Sequence, residues 1–218
     1  LIDRPGVVSF SGGRTSGYML WHILQAFGGK LPDDIKVVFC NTGKERLETL
    51  DFVQQCSVEW GVDVIWLEYA QVKEEGTKHT YKVVDYKSAS RNGEPFESLI
   101  LARNFLPNPV MRFCTTELKV RPQKKYCQGL GWDGWDVAIG IRADEPARLG
   151  KSRAKKELFH NVYPLASAGV KLADVMKFWG KMSFDLQLGQ HEGNCDLCFL
   201  KGAGKIRRVM SDRPDLAD

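Results

Sequence analysis

Val7-Val8-Ser9-Phe10-Ser11-Gly12-Gly13-Arg14-Thr15-Ser16-Gly17 is the stretch from which the rest of this chain is read. An apolar run ends in a Ser-Gly-Gly turn, and Leu20, Ile23, Leu24 and Phe27 then recur at the spacing of one helix face. The pattern predicts strand, tight loop, helix. Glycine permits a turn with positive φ and lets backbone N–H groups come close to a ligand. The helix start adds unpaired N–H groups and the positive end of its dipole. Ser11, Gly12, Gly13, Arg14, Thr15 and Ser16 are therefore the candidate phosphate-binding residues of this loop. A bare Gly-Gly suits any strand-to-helix turn; with the hydroxyls of Ser11, Thr15 and Ser16 around it, the loop reads as a phosphate cradle.

Working outward, Ile35 to Cys40 and Val62 to Leu67 are further strands, and Phe52, Val53, Cys56 and Trp60 mark the helix between them. Trp135 to Ile141 is a fourth strand, and Val162 to Leu165 with Leu172, Val175, Met176 and Trp179 form a last strand-helix pair. Strands alternating with helices predict an α/β fold: a doubly wound, mostly parallel sheet with helices on both faces. Ligands of such sheets bind beyond the carboxyl ends of the strands. The Ser-Gly-Gly loop and Asn41-Thr42-Gly43 both follow such ends and are expected to face one crevice. Residues 70–110 break the rhythm and read as an insertion or lid on the substrate side. Within it, Thr80 to Tyr86 has strand propensity and Pro95 to Asn104 opens like a helix.

The 218 residues, 43% hydrophobic and 27% charged, suit a single domain over 1–218 with a sizeable core. No apolar run approaches a membrane span, and the first residues lack a signal-peptide pattern, so no membrane partner is expected. Leu1 is not a natural start, and further residues are expected beyond both ends. Six cysteines are too few for a disulfide scaffold of this size. Cys195 and Cys198 stand in a C-x-x-C, which in a reducing compartment suggests metal or redox work, and a cytoplasmic protein is expected. The net charge of +4 selects no partner by itself, and the sequence sets no oligomeric state.

Ser11-Gly12-Gly13-x-x-Ser16 resembles the SGGxxS loop of the PP-loop superfamily, which includes the ATP pyrophosphatases and the phosphoadenosine phosphosulfate (PAPS) reductases. No Gly-Lys-Ser/Thr follows a four-residue gap, so it is not a Walker A loop. Thr15 replaces the Asp usual in the ATP pyrophosphatases and leans toward the PAPS-reductase branch. Asn41-Thr42-Gly43 resembles that family's (D/N)TG nucleotide element, and Arg112 to Pro122 its R-x-C-T-x-x-L-K-x-x-P element. Arg142-Ala143-Asp144-Glu145-Pro146-Ala147-Arg148 resembles its R-x-D-E-x-x-R loop. The resemblance implies an adenine nucleotide such as ATP on Ser11 to Ser16 and Asn41 to Gly43, with Arg142 and Arg148 neutralising phosphate and Asp144 or Glu145 holding Mg²⁺.

In the sulfate-type reductases a mid-chain Cys-Cys pair joins a late C-x-x-C around a [4Fe–4S] cluster. Here Phe113 takes the first place of the pair, and the resemblance leaves three matched metal ligands: Cys114, with Cys195 and Cys198 of the 190–218 cysteine-bearing segment. Cys127 or His191 is a possible fourth ligand, and Zn²⁺ the alternative metal. Thr115 is expected to cap a helix, with Cys114 just before its start. The Glu-Cys-Gly-Leu/Ile-His tail of a PAPS reductase is not found in this sequence. The reaction the resemblance implies is adenylation of a substrate followed by transfer of sulfur with help from the iron–sulfur cluster, with catalytic residues Arg142, Asp144, Glu145 and Cys114 and a possible sulfur-donor protein. The alternatives are a PAPS or APS reductase releasing sulfite, and a metal-stabilised nucleotide or nucleic-acid binding module. Basic stretches at Lys119 to Lys125, Arg148 to Lys156 and Lys201 to Arg208 make a nucleic-acid substrate possible; solvated helix faces are the plainer account.

Overall fold

The computed structural model describes Ile2 and residues 5–71, 80–149, 157–189, 191–195 and 197–214. In chain order these form β1 (Gly6–Ser9), α1 (Arg14–Ala26), β2 (Ile35–Asn41), α2 (Leu47–Trp60), β3 (Val64–Ala70), β4 (Thr80–Val84) and α3 (Glu94–Arg103). Next come α4 (Phe113–Thr115), a π-helical turn (Thr116–Val120), α5 (Arg121–Gly129), β5 (Trp135–Ile139), a 3₁₀ turn (Pro146–Arg148), β6 (Phe159–Val162), α6 (Pro164–Ser167), α7 (Leu172–Trp179) and α8 (Ala203–Asp212).

The strands form one six-stranded sheet in the order β4-β3-β2-β1-β5-β6. Val8 of β1 registers with Val37 of β2 and with Ala138 of β5, both parallel. β6 runs parallel to β5, while β4 returns antiparallel to β3 with Lys82 opposite Glu68. The chain leaves β1 toward β2, β3 and β4, then crosses back to place β5 on the other side of β1. This is the doubly wound, mostly parallel α/β arrangement expected, with the strand order reversing between β1 and β5.

Two compact units are distinguished: Leu1–Phe39, Phe52–Ile65 and Tyr126–Leu186 form the first, and Cys40–Asp51, Trp66–Lys125 and Gln187–Asp218 the second. Val7, Val8, Phe10, Leu20, Phe52, Trp135 and Trp179 are buried in the first. There the rings of Phe52 and Trp179 lie 4.9 Å apart and those of Trp179 and Phe184 5.7 Å. Leu67, Tyr69, Leu99 and Leu118 are buried in the second. Each full burial of an aliphatic or aromatic side chain of this size contributes about 1.5–3 kcal/mol. Among the described residues no helix is long and apolar enough to cross a membrane.

Three local readings change. β5 ends at Ile139, because the Ile141 N–H turns back to the Ile139 carbonyl at 2.8 Å. The last strand is Phe159–Val162, and Pro164, whose fixed φ suits a first helical turn, opens α6 where the strand was expected to continue. Thr115 is not a cap: the helix starts at Phe113 with Arg112 as its cap, so Cys114 sits inside the first turn. The helical path then widens into the π turn just before Pro122. Proline lacks an N–H and crowds the carbonyl four residues back, and a widened turn ahead of it relieves both. Residues 72–79 of the expected insertion and 150–156 of the second basic stretch lie outside the described residues.

Candidate functional site

At the switch point between β1 and β5 the first unit builds the Ser-Gly-Gly loop. Gly12 turns the chain with φ +74°, and Gly13 caps α1 in an extended conformation. A glycine cap has no side chain to bond the first-turn N–H groups. The Ser16 hydroxyl, almost fully buried, knits the loop together. It accepts from the Ser11 and Gly13 N–H groups at 3.2 Å each and from the Ser11 hydroxyl at 3.0 Å, and it donates to the Gly13 carbonyl at 2.9 Å. Ser16 thus shapes the loop from within.

Two neighbours bring the helix start into place. A Cβ on Gly17 would stand 2.8 Å from the Trp179 ring and 3.3 Å from that of Phe52, so only glycine lets α1 sit this close. Trp179 also donates its indole N–H to the Arg14 carbonyl at 2.8 Å. On the other side a Cβ on Gly140 would lie 3.2 Å from the Ser16 Cα, so the end of β5 approaches the loop backbone to backbone. The Arg14 side chain is turned to Asp185, with bonds of 2.7 and 2.9 Å, and to the Leu186 carbonyl.

The loop after β5 carries the arginines. Arg142 Nη1 donates to Thr15 Oγ1 at 3.1 Å, which joins this loop to the Ser-Gly-Gly loop. Its Nε donates to Asp144 Oδ1 at 2.8 Å, and its Nη1 lies 3.3 Å from Glu145 Oε2. Asp144 Oδ2 accepts the Leu172 N–H at 3.1 Å; that bond, with the Arg142 guanidinium, holds the Asp144 carboxyl below its usual range. Glu145 accepts the Arg142 N–H at 3.2 Å and the Arg148 guanidinium at 2.6 Å. All four oxygens of the two carboxylates already meet a protein donor. As folded they orient two cations and do not present the open oxygen cage that Mg²⁺ takes.

The second unit holds Asn41, Thr42 and Gly43. Thr42 donates its N–H and hydroxyl to Glu45 Oε2 at 2.7 and 2.8 Å, and Gly43 donates its N–H to Asn41 Oδ1 at 3.1 Å. Gly43 has φ +77°, and a Cβ there would meet Pro95 at 2.8 Å and the Gly93 Cα at 3.0 Å. Glu45 also receives the Lys119 ammonium at 3.2 Å and the Cys195 thiol at 3.6 Å, and it bridges Cys195 through the backbone. Burial pushes the Cys195 thiol up to about 12, reinforced by Glu45 and Cys198 against the pull of Lys119. Burial works to lower the Lys119 ammonium, but its interactions with the neighbouring Cys195 and Glu45 outweigh it and hold it above its usual range.

Cys114 is half-buried and packs against the Tyr69, Leu99 and Leu118 cluster. Among the described residues no three His, Cys, Asp or Glu side chains are grouped to hold a metal ion. The thiols of Cys114, Cys195 and Cys198 suit iron or zinc in kind, but the arrangement does not gather them. Of the two further ligands weighed, His191 pairs with Asp212 at 3.1 Å, and Cys127 is fully buried with its thiol pushed up to about 12. The buried carboxylates Glu45, Glu68 and Glu117 were not among the candidates. Glu68 could have been noticed as a lone acid at the end of the apolar run Val64 to Leu67.

The phosphoadenosine phosphosulfate reductase domain model matches residues 5–168. A nin region protein, ORF290, of Escherichia phage lambda is 33% identical over 214 residues, covering 96% of this chain and 71% of its own length. Two solved structures are also similar. A phosphoadenylyl-sulfate (PAPS) reductase from Candida auris has TM-score 0.46 and 16% identity, over 82% of this chain and 73% of its own. The U34-tRNA thiolase NcsA from Methanococcus maripaludis, with its [4Fe-4S] cluster, has TM-score 0.51 and 15% identity; it covers 98% of this chain, which spans 65% of it. At that identity the likeness is one of fold.

Proposed function

The chain belongs to the phosphoadenosine phosphosulfate reductase domain family, and from that premise we propose that it is a nucleotide-dependent enzyme that adenylates a substrate and passes sulfur to it. The observation that carries the nucleotide half is the bond from Arg142 Nη1 to Thr15 Oγ1, which sets a guanidinium beside the glycine-capped start of α1. In this reading the first-turn N–H groups of α1 take the phosphates of ATP. Arg142 and Arg148 spread the charge that builds on the α-phosphate, and Asp144 and Glu145 keep the two guanidiniums aimed. A substrate oxygen attacks the α-phosphorus, the α–β bridge breaks, and pyrophosphate leaves. A sulfur nucleophile from a donor protein then displaces AMP from the activated carbon. Mg²⁺ in this scheme travels with the nucleotide phosphates.

The sulfur half is supported by the chemistry of Cys114, Cys195 and Cys198 and by the cluster that NcsA carries. For these thiols to bind a [4Fe–4S] cluster or Zn²⁺, Cys114 must leave its packing against Leu99 and Leu118.

Three assays separate the readings. Pyrophosphate release from ATP in the presence of candidate substrates supports adenylation. Sulfite release from PAPS with a thiol reductant supports the reductase reading instead. Nucleotide binding with neither product leaves a binding module.

A further inference from the structure

Glu68 lies on β3 with no exposed surface. Its Oε1 accepts the Asn41 amide at 2.6 Å and the Ser90 N–H at 2.6 Å; its Oε2 accepts the Ser90 hydroxyl at 2.9 Å and the Lys82 ammonium at 2.9 Å. An acceptor-only side chain is what such a ring of donors needs. The second N–H of the Asn41 amide goes to the Ser90 carbonyl at 2.8 Å, and its oxygen takes the Gly43 N–H at 3.1 Å. The amide is thus fully engaged inside the protein and acts as a relay between Glu68 and the backbone of the Thr42-Gly43 turn. That turn is pinned from its other side, where Gly43 faces Gly93 and Pro95, just past the loop that Ser90 belongs to.

We propose that Glu68 is the positioning residue of the Asn41-Thr42-Gly43 loop, fixing through the Asn41 amide the backbone that meets an adenine nucleotide. This rests on the reading of that loop as a nucleotide contact. Lys82 is half exposed and touches only the outer oxygen, so it is not part of the relay. Glu68→Gln keeps one oxygen for Asn41 and the Ser90 N–H and turns its amide toward the Ser90 hydroxyl, which can rotate to accept. Glu68→Ala removes every acceptor at once.

The test combines amide hydrogen exchange of the free protein with calorimetric titration by MgATP. In Glu68→Ala, exchange at Gly43 is expected to quicken about tenfold or more, while Tyr69 and Leu118 in the same unit keep their parental protection. MgATP affinity is expected to fall about tenfold, because a displaced loop misplaces its contacts. Glu68→Gln should restore both readings to near the parental values, and Lys82→Ala should move neither. If Glu68→Ala does not fold, Glu68→Asp, which cannot reach both loops, takes its place with the same selective change expected at Gly43. Parental exchange at Gly43 in the folded variant overturns the proposal. So does quickening spread evenly over the second unit, since a merely structural role gives that. A parent that binds no adenine nucleotide overturns the nucleotide reading, and the exchange arm still decides whether Glu68 positions the loop.

Discussion

Arg142 binds its own loop and the Ser-Gly-Gly loop at the same time. Its Nε is held by Asp144, and its Nη1 reaches Thr15 at 3.1 Å. A charge-assisted bond of this kind contributes about 1.5–3 kcal/mol where it is well formed. Arg142→Gln is therefore expected to weaken MgATP binding about tenfold or more, while the melting temperature moves by only a few degrees. Calorimetry and a thermal melt on the same sample check both. A melt that collapses with no separate effect on affinity would make Arg142 a structural tie only. Asp144 gives a pH signature. Its carboxyl is held below the unfolded value by the Leu172 N–H and by Arg142. The stability it contributes is present above the unfolded value, near 4, and is lost as pH falls through the lower folded one. The stability gap between the parent and Asp144→Asn should therefore be constant from pH 7 to 5 and close below pH 4. Chemical denaturation across that range measures it.

The elements show which features a sequence can announce. The first strand-loop-helix was legible because strand, glycines and helix are contiguous, and each part has a local reason to be there. The β5 loop was legible through Arg142, Asp144 and Arg148, yet its inner pairing was not. Sequence spacing cannot say that Asp144 would reach Leu172 or that Arg142 would reach Thr15. Arg14 read as a ligand residue because it stands in the loop, but Asp185 takes its guanidinium from far along the chain. Helix α4 begins earlier than expected, at Phe113, and the π turn before Pro122 leaves no local mark in Thr116 to Val120. This helical stretch also carries the metal question, because Cys114 lies in it. If the protein takes a cluster, anaerobic reconstitution with iron and sulfide should give brown protein with broad absorbance near 400 nm. Zn²⁺ should give colourless protein. Replacing Cys114, Cys195 or Cys198 by Ser should then lower the bound metal sharply, whereas the fully buried Cys56, its thiol held well above the usual range, should be neutral. Metal content unchanged in Cys114→Ser would mean that Cys114 stays packed on Leu99 and Leu118 and that the pair works without it.

At the scale of the molecule, strand-helix alternation announced a parallel sheet, and the order β4-β3-β2-β1-β5-β6 answers it. The antiparallel β4 and the buried Glu68 opposite Lys82 were beyond such reading, since both depend on which strand becomes a neighbour. Charge is the remaining whole-chain property, and it bears on whether the substrate of the proposed reaction is a nucleic acid. The net charge is only +4, so binding has to come from local density. Helix α8 supplies one such place: Lys205, Arg207 and Arg208 are exposed on it, with Arg208 3.6 Å from Asp212. Lys119, by contrast, is held by Glu45 and is no phosphate contact as it stands. If α8 follows a nucleic-acid backbone, affinity for a structured RNA should fall roughly tenfold or more between 50 and 200 mM salt. Replacing Lys205 and Arg207 by Ala together should then reduce the slope of log K against log salt by about 1–2, the share of two phosphate contacts. A filter-binding series over salt, run on the parent and the double variant, decides it. Equal slopes in both would remove α8 from the interface, and undetectable binding at 50 mM would leave a small-molecule acceptor as the better reading.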